Sequence, residues 1–168
     1  MRAAIVYYSK TGRTRQVALY IEKKLAELGL QTNTYEIRQV REYSKRFLHL
    51  NPRVIYDTLT GRLVEIRGLA GFNPEAFDVL LLGTPIWFET VAPAMRSFIK
   101  QYKGKVTRPI ACFTTANLRK DYALKFKVLL ESLGYRVIAY VSISDFTKDR
   151  SAVDDFISKV VEYLRTSR

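Results

Sequence analysis

Cysteine, histidine and tryptophan each occur once in this 168-residue chain, as Cys112, His49 and Trp87. A single cysteine excludes an internal disulfide framework and any cysteine-rich metal or iron–sulfur site. A single histidine leaves no zinc-type cluster, so no metal site is expected. Long apolar runs are also missing. The most apolar stretch, Val79–Phe88, is too short to cross a bilayer as a helix, and no membrane span is expected. Arg2 opens directly onto a strand-like run with no small-residue cleavage site after it, so no secretory leader is expected either. These absences predict a soluble, cytoplasmic protein. Acidic residues are scarce: 16 Asp and Glu stand against 28 Lys and Arg, a formal net charge of +12. A surface this basic points to nucleic acid, an anionic cofactor or an acidic partner protein. It also suits the well-solvated surface of a thermophile. Because the charge is spread along the chain rather than gathered in one tail, no nucleic-acid partner is expected.

What is present is a regular alternation of strand and helix patterns. Ala3–Tyr8 is short, apolar and β-prone, and Val17, Ile21, Leu25 and Leu28 recur after it at helical spacing before Gly29. Thr32–Ile37 reads as a second strand. Asp78–Thr84 is continuously apolar, the mark of a central parallel strand covered on both faces. Val91, Met95, Phe98 and Tyr102 stripe a helix, and Pro109–Thr115 makes the next strand. Tyr122, Phe126, Leu129 and Leu133 stripe a helix that Gly134 ends, and Arg136–Ile143 is a fifth strand. Val153, Phe156, Val160 and Leu164 line the closing helix. With 48% hydrophobic residues, the chain reads as one α/β domain over residues 1–168, built on a doubly wound sheet.

One segment, about residues 39–71, breaks the rhythm. Within it VIYD and RLVEI flank Thr58–Gly61, which predicts an inserted β-hairpin after the second strand, with a short helix near Glu42–Leu50. From Arg41 to Arg67 it carries six Lys and Arg against three Asp and Glu. Partner docking, dimerisation, a lid over a site and a plain surface elaboration all remain open for it.

The chemistry concentrates where strands end. After the first strand comes SKTGRT, Ser9–Thr14, in which Ser9, Thr11 and Thr14 set hydroxyls beside the free amides of a helix N-terminus. Gly12 lets the backbone approach a ligand closely. That combination suits a phosphate held by neutral donors and the helix dipole. It is neither a Walker A loop nor a G-x-G-x-x-G loop. Six residues separate Cys112 from Arg119, one too many for a C-x5-R phosphatase loop, and Cys112 lies mid-strand as a small buried hydrophobe. Trp87 stands at the exit of a central strand, where a large ring is expected to find no core and to offer a flat face to a flat ligand. No catalytic acid–base pair is evident.

S-K-T-G-R-T resembles the [ST]-x-T-G-x-T phosphate loop of the flavodoxins. Gly83–Ile99, GTPIWFETVAPAMRSFI, resembles that family's loop after the third strand, G-T-P-I-W followed by a P-x-M-R helix start. The resemblance implies a flavodoxin-like five-stranded parallel sheet of order 2-1-3-4-5 and bound FMN. It places the FMN phosphate on Ser9, Lys10, Thr11, Gly12, Arg13 and Thr14, and the isoalloxazine against Thr84, Pro85, Ile86, Trp87 and Phe88. A third loop, Thr114, Thr115, Ala116 and Asn117, is expected to meet the flavin edge. Here the chain departs from its relatives, which often carry glycines or an aromatic at this point. The resemblance spans the chain outside about residues 39–71.

Two functions follow from the resemblance. One is an electron carrier exchanging electrons with a partner protein, an acidic one given the basic surface. The other is an FMN-dependent NAD(P)H:quinone-type oxidoreductase, of a kind often found as a homodimer or tetramer. Flavodoxins surround FMN with acidic residues, whereas Lys10 and Arg13 stand in this loop. One unit charge about 10 Å away, at an effective dielectric near ~40, is worth roughly 0.8 kcal/mol, or about 35 mV per electron. A less reducing flavin is therefore expected.

Overall fold

A computed structural model describes every residue except Lys45, Phe47 and Arg168, and only the backbone of His49. The apolar run at the N-terminus forms β1 (Arg2–Tyr8), and the helical stripe after it forms α1 (Arg13–Glu27). There follow β2 (Gln31–Gln39), α2 (Pro52–Leu59), a two-residue β3 (Ile66–Arg67) and β4 (Val79–Trp87). The chain continues through β5 (Thr90–Val91), α3 (Pro93–Gln101), β6 (Ile110–Thr115), α4 (Tyr122–Ser132), β7 (Val137–Ile143) and α5 (Arg150–Thr166). The five long strands run parallel in the order β2-β1-β4-β6-β7, the predicted 2-1-3-4-5 arrangement.

Alternation along the central strands divides the core. Ala3, Ile5, Leu81 and Phe113 face α1 and α5, whose Val17, Ile21, Phe156 and Val160 cover them. Ala4, Val6, Leu80, Leu82 and Cys112 face the other way, under Met95 and Phe98 of α3 and Phe126 and Leu130 of α4. Both sheet faces are therefore apolar, as a doubly wound sheet requires. Gly83 sits where the sheet has no room: a Cβ built on it would lie 2.2 Å from Cζ of Phe113 in the neighbouring strand. Leu28 is the C-cap of α1 and is exposed, and Val91 lies in β5 rather than α3, so neither belongs to the stripe expected of it.

The predicted hairpin is corrected. VIYD belongs to α2, a helix that starts where Asn51 Oδ1 accepts the Arg53 amide at 3.0 Å, with Pro52 in the first turn. Val54, Asp57 and Thr58 form its buried face at helical spacing. Two of these are polar, which hides the period. Gly61 follows the end of the helix instead of turning a hairpin, and of RLVEI only Ile66 enters a strand, paired antiparallel with Gln39 of β2. Of the short helix expected at Glu42–Leu50, one 3-10 turn at Leu48–Leu50 is present, and Lys45 and Phe47 lie outside the described residues. So does the His49 side chain.

The insertion is packed onto α3. Arg96 Nη1 donates to the carbonyls of Asp57 and Thr58 at 3.4 and 3.2 Å, occupying acceptors that the end of α2 leaves open. The Val64 amide donates to Ser97 Oγ at 2.8 Å. Tyr43 stands in the core, its hydroxyl donating to Asp57 Oδ2 at 2.9 Å.

Candidate functional site

The carboxyl ends of β1, β4 and β6 lie side by side, so the three loops singled out in the sequence meet at one edge. The register pairs Tyr7 with Gly83, Thr84 with Thr114, and Pro85 with Thr115. The first loop is a tight turn into α1, with Gly12 as the N-cap at φ 96°. No side chain caps the helix conventionally, and no acidic residue stands in its first turn. Instead the amides of Gly12 and Arg15 both converge on Ser9 Oγ, each at 3.2 Å. The amides of Thr11, Arg13 and Thr14 have no acceptor among the described residues. A Cβ on Gly12 would meet nothing within 4 Å, so the approach to the turn is open. Free amides, a hydroxyl and an uncompensated positive helix end make a cradle for an anion.

Two basic side chains of this loop turn away from it. Lys10 Nζ lies 2.7 Å from Glu42 Oε2, with its side chain 8% exposed, and Glu42 also accepts the Gln39 amide at 2.9 Å. Arg13 reaches across to the third loop, donating to Ala116 O at 3.0 Å, to Asn117 Oδ1 and to Ser144 O. Beneath it Thr14 Oγ1 and Thr115 Oγ1 are 2.8 Å apart in a buried hydroxyl pair. The first and third loops are thus held to each other. A cleft of about 370 Å³ opens on the other side of the first loop, lined by Ser9, Thr11 and Gly12 together with Arg15, Arg38 and Arg67.

The second loop is a hairpin turn joining β4 to β5. Phe88 and Glu89 both take positive φ, 48° and 64°, a strained geometry for residues with side chains. Trp87 fills core: it is 4% exposed and packs edge-on against Tyr8 and Tyr43, with ring centroids 5.7 and 5.8 Å away. The expectation that this ring would find nothing to pack against is corrected, because the insertion brings Tyr43 to it. The exposed aromatic of the loop is Phe88, 36% exposed. Thr84 is buried, with its hydroxyl on Pro85 O at 3.0 Å, and Thr114 Oγ1 is buried without a partner among the described residues. Ser9, Thr11, Gly12, Asn117 and Phe88 therefore border the edge and Pro85 and Ile86 are half-buried beside it, whereas Thr84, Trp87, Thr114, Thr115 and Ala116 are buried.

Several residues here carried no signal in the sequence. Glu89 accepts from the Tyr122 hydroxyl at 2.6 Å, from Lys120 at 3.0 Å and from Lys125 at 3.4 Å, tying the second loop to the start of α4. The Tyr122 hydrogen bond and the two ammonium groups hold its carboxyl down at about 2. Burial pushes Asp149 up, but the amides of Asp145 and Ser144 and the Arg119 guanidinium outweigh it and bring that carboxyl to about 2. Asp149 thereby fixes the turn after β7 on which Arg13 leans. Tyr8 and Tyr43 titrate far above an ordinary phenol, chiefly because they are buried. Among the described residues, no group of three His, Cys, Asp or Glu side chains is placed to hold a metal, and no helix is long and apolar enough to cross a membrane.

No protein-family model matches the chain, and no curated protein matches it. Solved structures do. A flavoprotein from Lactobacillus acidophilus, in complex with FMN, superposes with a TM-score of 0.70 at 18% identity, over 92% of this chain and 97% of its own. A flavodoxin from the domain Archaea gives 0.65 at 12% identity, over 98% and 99%. The rubredoxin:oxygen oxidoreductase of Desulfovibrio gigas gives 0.66 at 12% identity, over 98% of this chain but 36% of its own. With the parallel 2-1-3-4-5 sheet and three loops at its carboxyl edge, this chain has the flavodoxin-like fold.

Proposed function

We propose that the chain is an FMN-binding electron-transfer protein whose Ser9–Thr14 turn holds the cofactor's phosphate. The observation that carries the reading is the set of amides on Thr11, Arg13 and Thr14 without an acceptor among the described residues, at an open glycine turn. A phosphate there satisfies donors that have no acceptor among the described residues, and the Ser9 and Thr11 hydroxyls add two more. Bound FMN supplies one- and two-electron transfer, and the chain needs no acid or base of its own. Its residues bind and orient. Arg13 braces Asn117 and Ala116, Glu89 braces the Phe88 turn, and exposed Phe88 and Leu118 offer apolar surface beside the cradle. The partner is a redox protein. Similarity to FMN proteins in overall fold supports the cofactor assignment.

The electrostatic expectation changes in one respect. Lys10 is neutralised by Glu42 at 2.7 Å, so it adds little positive field at the cofactor. Arg13 and Arg15 remain, and a flavin less reducing than in an acidic surrounding is still expected, by roughly 35 mV per effective charge.

The visible spectrum of the purified protein, recorded with and without added FMN and then with NADPH under anaerobic conditions, tests the reading. A shifted flavin spectrum unchanged by NADPH is the result expected of a carrier. Rapid bleaching would identify an NAD(P)H-dependent reductase, and absence of bound flavin would refute the assignment.

A further inference from the structure

The insertion builds a cleft of about 450 Å³, larger than the one at the phosphate loop. Its walls are Arg41, Arg53, Arg62, Tyr56, Leu63 and Val64, with Asp57 in its floor and Glu65 at its side. The volume falls in the usual range for small-ligand sites, about 300–1,000 Å³. Asp57 is 2% exposed. Its Oδ2 accepts from Tyr43, but its Oδ1 is buried with no hydrogen bond among the described residues. The Arg62 guanidinium stands 3.9 Å from that oxygen and the Arg53 Nε 3.6 Å from Oδ2, both beyond hydrogen-bond distance. A buried carboxylate oxygen left without a donor is costly. Arg53 also lies over the Tyr43 ring and donates to Arg41 O, so it is committed to the fold. Arg41 and Arg62 are both exposed, and among the described residues Arg62 is held only by its 3.9 Å approach to Asp57.

We infer that this cleft binds a phosphate monoester of about nucleoside size. Arg41 and Arg62 take the phosphate, because two planar guanidinium forks match a dianion better than a single carboxylate. Turning Arg62 onto the phosphate uncovers Asp57 Oδ1, which then accepts a hydroxyl of the ligand and gains the hydrogen bond it lacks. The exposed Tyr56 ring gives a flat wall for a base, with Leu63 and Val64 closing the apolar side. After Asp57 and Glu65 are set against the three arginines the cleft keeps one net positive charge, which favours a monoester over a long polyanion. The same chemistry is offered by a free mononucleotide and by the phosphoadenosine end of a pyridine dinucleotide. The inference stands on the insertion alone and is independent of what the Ser9–Thr14 turn holds.

Calorimetric titration of the full-length protein with adenosine 2′-phosphate, adenosine 5′-phosphate, NADPH, NADH and inorganic phosphate, with and without FMN present, tests it. Expected is saturable one-to-one binding of at least one nucleotide, at least tenfold tighter than inorganic phosphate. Arg41→Gln should weaken it tenfold or more without lowering the melting temperature, and Arg62→Gln should weaken it at least as much while also destabilising the fold, because it removes a cation beside Asp57. Asp57→Asn should weaken the nucleotides, whose ribose hydroxyl Asp57 accepts, more than inorganic phosphate. A preference for NADPH over NADH would identify the dinucleotide as the source, and equal binding of both adenosine phosphates the free nucleotide. No nucleotide binding tighter than inorganic phosphate, or binding that survives both arginine changes, would overturn the inference.

Discussion

Trp87 and Phe88 are neighbours with opposite surroundings, and replacing each in turn separates support of the fold from contact with a ligand. Trp87 is 4% exposed and sits between Tyr8 and Tyr43 at interplanar angles of 78° and 67°. Truncating a buried aromatic to alanine costs about 3–5 kcal/mol, which includes the roughly 0.5–1.5 kcal/mol that each edge-to-face pair adds. Set against a total stability of about 5–15 kcal/mol, Trp87→Ala should be severe but measurable. With a urea slope near ~2 kcal/mol/M, the unfolding midpoint falls by about 1.5–2.5 M. Far-UV circular dichroism is the assay, since the variant has lost the chain's one tryptophan. Trp87→Phe keeps a ring and should lose about 1–2 kcal/mol. Phe88→Ala removes a ring that is 36% exposed, and should cost about 1 kcal/mol or less while weakening FMN binding. The reasoning is refuted if Trp87→Ala unfolds within about 0.5 M of the parent and loses FMN, because the indole would then serve the ligand rather than the core.

Gly83→Ala should destabilise by about 1–3 kcal/mol or abolish folding, since its Cβ would enter the Phe113 ring; thermal melts check this, and a neutral result would mean the strands separate more easily than the packing implies. Arg13→Ala should leave the sheet intact yet raise hydrogen exchange at the Ala116 and Ser144 amides, since it holds the carbonyls of both residues. Glu89 and Asp149 both have carboxyls held near 2, below the ordinary 4.5 and 3.8, so the stability they add is present above about pH 4.5 and is lost as pH falls toward 2. Asp149→Asn should therefore lower stability at neutral pH and flatten its acid dependence over that window. An unchanged acid profile would show that the carboxylate is not what staples the turn after β7.

Much of this fold is legible in the sequence because buried strands and helix stripes announce themselves. Val79–Leu82 is apolar on both faces, and Val17, Ile21 and Leu25 recur at helical spacing. The loop Ser9–Thr14 is legible too, as hydroxyls and a glycine at a strand-to-helix junction. The insertion is not. Its helix buries Asp57 and Thr58 beside Val54, and the hydrogen bonds that Tyr43 gives the Asp57 carboxylate and Arg96 gives the Thr58 carbonyl come from distant parts of the chain. No local pattern carries that information. The same limit applies to Trp87, whose surroundings include Tyr43 from across the fold, and to Glu89, whose donors lie more than 30 residues away.

Equilibrium titration of the flavin-free protein with FMN and with riboflavin, followed by flavin fluorescence, is the most direct test of the central claim. The two ligands differ by the phosphate alone. If the Thr11, Arg13 and Thr14 amides hold that group, one charge-assisted hydrogen bond, worth about 1.5–3 kcal/mol, already predicts FMN binding roughly 10- to 150-fold tighter than riboflavin, and three set that as the minimum. Equal affinities, or no binding of either, would contradict it.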